Sequence, residues 1–183
     1  MSQLQLRSAR DVLASGGVVA CPTEAVWGLS CDPDSESAVA HILDLKQRPV
    51  EKGLILVAGS ESQLAFLLHD LPPAQRNMLS ESWPGGNTWL VPHQNRIQPW
   101  VHGAHDTVAV RVTDHPGLRQ LCRAWGGPLV STSANPAGAQ PARAAFQVHR
   151  YFGDDLVHIF PGSVGRNARP SQIRDLAGNI LRA

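Results

Sequence analysis

Lysine is almost missing from this chain. Of its 16 basic residues only two are lysine, Lys46 and Lys52, and the other 14 are arginine. Aromatic side chains are also scarce, at 5%, with a single tyrosine, which leaves little surface for stacking nucleic-acid bases. The three cysteines, Cys21, Cys31 and Cys122, are an odd number without a C-x-x-C pair. That argues against a disulfide scaffold and against a zinc site, and fits a reducing cytoplasm. The eight histidines form no H-x-x-x-H or H-E-x-x-H pair. There is no apolar run of about 18 residues, so no membrane span is expected, and residues 1–7 lack the layout of a signal peptide. Walker A and G-x-G-x-x-G sequences are absent, and Gly162-Ser163-Val164-Gly165 falls one residue short of G-x-S-x-G, so dehydrogenase and hydrolase readings are weak.

What is present suits one soluble domain over residues 1–183, with 43% hydrophobic and 17% charged residues. No repeat or dividing linker appears. The net charge of +1 hides an asymmetry: residues 1–70 carry 5 basic and 9 acidic side chains, and residues 71–183 carry 11 and 6. A C-terminal part at +5 tolerates a polyanionic ligand but is far from the excess of a dedicated nucleic-acid binder.

Periodicity and punctuation give an alternation of helices and strands, the mark of an α/β fold. A helix over 5–15 stops at Gly16-Gly17, and a strand over 18–21 stops at Pro22. Residues 22–29 read as a polar turn. Asp32-Pro33-Asp34-Ser35 opens a helix whose face carries Val39, Ile42, Leu43 and Lys46, and Pro49 ends it. A strand follows over 54–58, and Ser60 with Gln63 reads as a capping box for a helix over 61–68. Pro72-Pro73 starts a helix that ends near Trp83. A strand over 88–91 precedes a loop over 93–103 anchored by Trp100 and Val101. The clearest strand is 106–113, with Val108, Val110 and Val112 on one face and Thr107, Ala109, Arg111 and Thr113 on the other. Asp114-His115-Pro116 caps a helix over 117–125. A strand over 128–130 runs into Ser131-Thr132-Ser133-Ala134-Asn135. A helix over 142–152, a strand over 156–160 and a Gly/Pro/Arg-rich loop over 161–171 that reads as mobile complete the chain.

Four stretches carry chemistry. Lys46, Arg48 and Lys52 lie within seven residues of one another, followed by Gly53 and an apolar strand, which suits a site for an anion. Helix-end basicity accounts for Lys46 and Arg48 alone, but Lys52 lies beyond the helix. Thr23 and Glu24 sit side by side at a strand end, as binding groups or as a local turn. Arg111 in a β-branched strand needs an anion or a carboxylate, unless the strand is an edge with one wet face. Ser131, Thr132, Ser133 and Asn135 offer more polar groups than a turn requires, at the end of an apolar strand.

Together these stretches resemble the YrdC/TsaC family, the L-threonylcarbamoyladenylate synthases. The resemblance rests on Pro22-Thr23-Glu24-Ala-Val-Trp27-Gly28-Leu29, Lys46-x-Arg48-Pro49-x-x-Lys52-Gly53, Ala109-Val-Arg111-Val, Ser131-Thr-Ser133-Ala-Asn135 with Gly138, and Pro170-Ser171-x-Ile173-Arg-Asp175, in that order over roughly residues 10 to 182. It implies a single-domain, twisted mixed sheet flanked by helices, with a deep, positively charged concave face. The implied reaction joins L-threonine, bicarbonate and ATP, with Mg²⁺, into threonylcarbamoyl-AMP and pyrophosphate, for later transfer to tRNA by a separate threonylcarbamoyl transferase complex. Carried over by position, Lys46, Arg48 and Lys52 hold the ATP phosphates. Thr107, Ser133 and Asn135 contact the nucleotide, as does Arg182. Thr23, Arg111, Ser131 and Ser171 hold threonine, with Arg111 on its carboxylate. No nucleophilic side chain is required.

Trp27 stands where relatives more often have Tyr or Phe, and Gly86-Asn87-Thr88 stands where Pro-Val-Thr is usual. Two other readings remain: a paralogue that adenylates another carbamoyl group, and an RNA-binding or ribosome-maturation module. A weak tRNA contact is compatible with any of the three.

Overall fold

The computed structural model describes residues 2–155, 158–167 and 171–182. In chain order the helices are α1 Gln3–Ala14, α2 Glu36–Lys46, α3 Ala65–Leu68, α4 Pro73–Ser82, α5 Pro99–His102, α6 Pro116–Trp125 and α7 Ala145–Phe152. The strands are β1 Val19–Pro22, β2 Trp27–Cys31, β3 Ile55–Ala58, β4 Asn87–Pro92, β5 Thr107–Val112, β6 Leu129–Ser133, β7 His158–Ile159, β8 Gln172–Arg174 and β9 Ile180–Arg182. They form one mixed sheet in the order β7-β1-β2-β6-β3-β5-β4-β8-β9. Pairing is parallel for β1 with β7, β3 with β5 and β4 with β8, and antiparallel elsewhere.

The sheet's two faces follow from the two-residue period of the strands. Ala20, Leu56, Ala58, Val108, Val110, Val112 and Val130 point into the larger core, which also takes Val39 and Ile42 of α2. Val19, Cys21, Val57 and Leu129 point the other way, onto Leu13 of α1 and Leu118, Leu121 and Cys122 of α6. These two helices cover only part of that second face. The register pairs continue it outward as Gly28 with Ser133, Ile55 with Ser131 and with Ala109, Ala109 with Leu90, Thr88 with Ile173, and Ile173 with Arg182. Among the described residues no helix lies there, and Thr107, Arg111, Ser131 and Ser133 fall on this uncovered part.

Several expectations shift, each for a local reason. The polar turn read over 22–29 is only 23–26 long: Trp27–Cys31 is already a strand, paired with β1 in a hairpin. The Ser60 capping box does not form, because Gln63 accepts from Gly59 N and donates to Cys122 O instead. A 3₁₀ turn, Glu61–Leu64, therefore precedes the short α3. The cap of α6 is His115, whose Nδ1 accepts from Leu118 N, and not Asp114. The helix read over 142–152 starts at Ala145. β6 runs on through Ser133 and takes in the serines read as a turn. β5 is central, between β3 and β4, which rules out the edge-strand reading of Arg111. Of the strand read over 156–160, residues 156 and 157 lie outside the described residues, as do Pro170 and residues 168–169 of the loop over 161–171.

Candidate active site

The uncovered sheet face is the floor of a cavity of about 690 Å³. Every residue nominated from sequence lines it: Thr23, Lys46, Arg48, Lys52, Thr107, Arg111, Ser131, Ser133, Asn135, Ser171 and Arg182. They come from β5, β6 and β9, from the end of α2 and the turn after it, from the loop after β6, and from the loops before β2 and β8. Sequence reasoning missed the apolar and histidine part of the wall, which includes Ile55, Leu90, Ile173, His102 and His105. Alternation along β3 and β4 would have signalled the apolar members; nothing local marks the histidines.

One end of the cavity is built on the close of α2. Gln47 takes a left-handed conformation as the helix cap, and Arg48 N bonds back to Leu43 O. Pro49 then starts a single 3₁₀ turn, Val50–Lys52. The Arg48 guanidinium wraps this turn, donating to Gly53 O at 2.9 Å and to Lys52 O at 3.3 Å. The turn is pressed against α5. Gly53 and Gly103 have φ of +59° and +66°, and a Cβ on Gly103 would lie 2.6 Å from Glu51 O. Both positions therefore require glycine. Lys52 is exposed, and its ammonium has no partner among the described residues. Lys46 behaves differently: it is buried, and its ammonium donates to Ser133 O and, at 2.9 Å, to Asn135 O. Burial, then the neighbouring Arg48, pull its pKa down to about 8.

The cavity also holds an ion pair. Arg111 Nη1 is 3.1 Å from Glu24 Oε2, and both side chains are only 8% exposed. Glu24 Oε1 accepts from Thr113 Oγ1 at 2.7 Å and from Asp114 N at 2.9 Å. Burial works to raise the Glu24 pKa, but Arg111, the Thr113 hydroxyl and the backbone N–H groups outweigh it and hold the carboxyl below its ordinary value. The sequence left an anion or a carboxylate open as the partner of Arg111, and that partner is the carboxylate of Glu24. It is also the only carboxylate among the described lining residues. Arg111 keeps further N–H donors, and its Nε has no partner among the described residues.

Thr23 makes a local turn, its hydroxyl donating to Val26 O at 2.8 Å, while also lining the cavity. Over this turn lies the loop before β8. Gly165 N donates to Thr23 O and Asn167 N to Glu24 O, and His115 Nε2 meets Ser163 O at 3.0 Å. Because Nδ1 of His115 is an acceptor, its proton sits on Nε2 and is donated to Ser163. The described part of the loop read as mobile is thus tied at three points. Ser171 accepts from Thr88 Oγ1, and its carbonyl accepts from Arg182 Nη2 at 3.2 Å. Partial burial, then repulsion from Arg182 in the one case and from Arg111 in the other, lowers the pKa of Arg48 and Arg182. Among the described residues no cluster of three His, Cys, Asp or Glu side chains could hold a metal.

Several cations, hydroxyls and an amide around one cavity, with no poised nucleophile among the described residues, suit binding and orienting an anionic nucleotide beside a small carboxylate. Comparison with known proteins agrees. The Sua5_yciO_yrdC family model, described as telomere recombination, matches residues 11–183. The threonylcarbamoyl-AMP synthase of Saccharophagus degradans is 58% identical over 172 residues, covering 93% of this chain and 90% of that protein. The threonylcarbamoyl-AMP synthase of Pseudomonas aeruginosa is 55% identical over 183 residues, covering 100% and 98%. Among solved structures, P. abyssi Sua5 complexed with L-threonine superposes with a TM-score of 0.90 at 30% identity, over 97% of this chain. This chain spans about half of that protein, 52% of its length. E. coli YciO, at 20% identity and a TM-score of 0.88, shares the fold.

Proposed function

The chain belongs to the Sua5/YciO/YrdC family, and from that premise we propose that it makes threonylcarbamoyl-AMP from L-threonine, bicarbonate and ATP, releasing pyrophosphate. It is an adenylate-forming enzyme of the nucleotidyltransferase kind, which fits relatives at 55% and 58% identity that are named threonylcarbamoyl-AMP synthase. One observation carries the assignment of the site: eleven residues scattered from Thr23 to Arg182 converge on one cavity.

The neutral threonine amine and bicarbonate form a carbamate with loss of water (from CO2, with loss of one amine proton instead). A carbamate oxygen then attacks the α-phosphorus of ATP, and the bond to the pyrophosphate oxygen breaks. Negative charge builds on the phosphoryl oxygens, so fixed cations and positioning are the main needs. Lys52 and Arg48 meet the phosphates, Ser133 and Asn135 the nucleoside, with Thr107 and Arg182 beside them. Arg111 takes the threonine carboxylate on donors that Glu24 leaves free, and Thr23, Ser131 and Ser171 surround the rest of the amino acid. Mg²⁺ enters with ATP as part of the substrate, because the lining residues offer one carboxylate, already engaged by Arg111. The product passes to a threonylcarbamoyl transferase acting on tRNA, and any direct tRNA contact is weak.

The test is pyrophosphate release with Mg²⁺ and ATP, with threonine and bicarbonate present singly and together, and serine as control. Release that needs both bears the proposal out. Release independent of threonine refutes it in favour of a paralogue with another carbamoyl substrate.

A further inference from the structure

Lys46 belongs by sequence to the same cationic cluster as Lys52, yet the fold uses the two in opposite ways. Lys52 presents an exposed ammonium that has no partner among the described residues. Lys46, 6% exposed, sends its side chain from the last turn of α2 to the loop after β6. Two of its three ammonium donors are taken by the carbonyls of Ser133 and Asn135. Its own carbonyl accepts from Ala137 N at 3.0 Å, so the residue clamps the 133–137 loop through both side chain and backbone. With those carbonyls turned toward the lysine, the loop's shape is set. The Asn135 amide group then donates to Pro136 O and Ala139 O at 3.0 and 2.9 Å, while its buried Oδ1 has no partner.

We propose that Lys46 is a positioning residue for the nucleoside end of the site: it holds the 133–137 loop so that Ser133 and Asn135 meet the nucleoside, and it leaves phosphate contact to Lys52. This rests on the ATP-dependent reading above. The Arg48 guanidinium, with five N–H donors, reaches the carbonyls of Lys52 and Gly53 and keeps donors for a phosphate, whereas the Lys46 ammonium keeps only one of three, and the loop it grips carries two of the nucleotide-facing side chains.

Nucleotides that differ only in phosphate count separate the two roles. AMP, ADP and ATP are titrated calorimetrically into the unsubstituted protein, Lys46→Met and Lys52→Ala. Lys46→Met is expected to weaken all three by the same factor, on the order of 10 to 100, as for loss of charge-assisted hydrogen bonds. Lys52→Ala should weaken ATP on the order of 10-fold and AMP by less than about 2-fold. A loss for Lys46→Met that grows from AMP to ATP, or an unchanged AMP affinity, overturns the inference. Should Lys46→Met fail to fold, Lys46→Arg keeps the charge but not the paired carbonyl geometry. Equal losses for the three nucleotides again support positioning, and retained affinity for all three overturns it. If the unsubstituted protein binds none of the three, the ATP-dependent reading fails, and this inference with it.

Discussion

Replacing Glu24 with glutamine tests how the cavity keeps a buried cation. The glutamine carbonyl can still accept from Thr113 Oγ1 and Asp114 N, the two bonds that now satisfy Oε1. Its amide, however, turns N–H groups toward Arg111 Nη1, now 3.1 Å from a carboxylate oxygen. The guanidinium is left uncompensated at 8% exposure, and breaking one side of a buried pair costs about 3–5 kcal/mol. For a chain of this size that is a fall in Tm of roughly 6–20 °C. Arg111→Met alone should cost less, because Glu24 keeps its two hydrogen bonds. The double variant should recover most of the Glu24→Gln loss, since replacing both charges together is often close to neutral. The pH dependence gives a second reading. A carboxyl held below its ordinary value of 4.5 contributes stability that is present above that value and is lost as pH falls through the lower folded value. Glu24→Gln should therefore flatten the acid limb of stability below about pH 4.5. Denaturant melts of the four proteins from pH 3 to 7 supply both tests. A Glu24→Gln cost below about 1 kcal/mol, or a double variant as unstable as the two losses added, would refute the reasoning.

Two further outcomes are expected. Lys52→Ala should lower pyrophosphate release by about 100-fold or more with an unchanged melting profile, as for loss of one group facing developing charge; an unchanged rate would take Lys52 out of the site. Burial pushes the Cys21 thiol up to about 11 and raises Cys31 and Cys122 as well. None of the three should react with a thiol reagent at pH 8 until the chain is denatured, and rapid labelling of the native protein would contradict the packing around them.

The parts of the site legible in the sequence are those in which one residue signals by being out of place. Arg111 among valines, two lysines in an arginine chain and serines at the end of an apolar strand each broke a local rule, and each lines the cavity. What could not be read depends on partners distant in the chain. Gln63 abandons a cap on Ser60 for Cys122 O, 59 residues away, and Glu24 finds Thr113 and Asp114 about 90 residues on. Sequence spacing also could not divide Lys46 from Lys52, because the carbonyls that occupy Lys46 belong to residues 87 and 89 positions later. β2 was hidden because Gly28 and Ser30, one bare and one polar, dilute the apolar run of a strand whose other residues are core.

The cavity floor and the larger core share the same strands, residue by residue. On β5, Thr107, Ala109 and Arg111 face the cavity while Val108, Val110 and Val112 face the core. A slip of one residue would exchange the two sets, burying an arginine among aliphatic side chains and opening three valines to the cleft. No half-wrong version of this sheet is both stable and competent. Folding fidelity is thus written into the catalyst, and specific activity per molecule becomes a direct gauge of how much of a preparation has its strands in register.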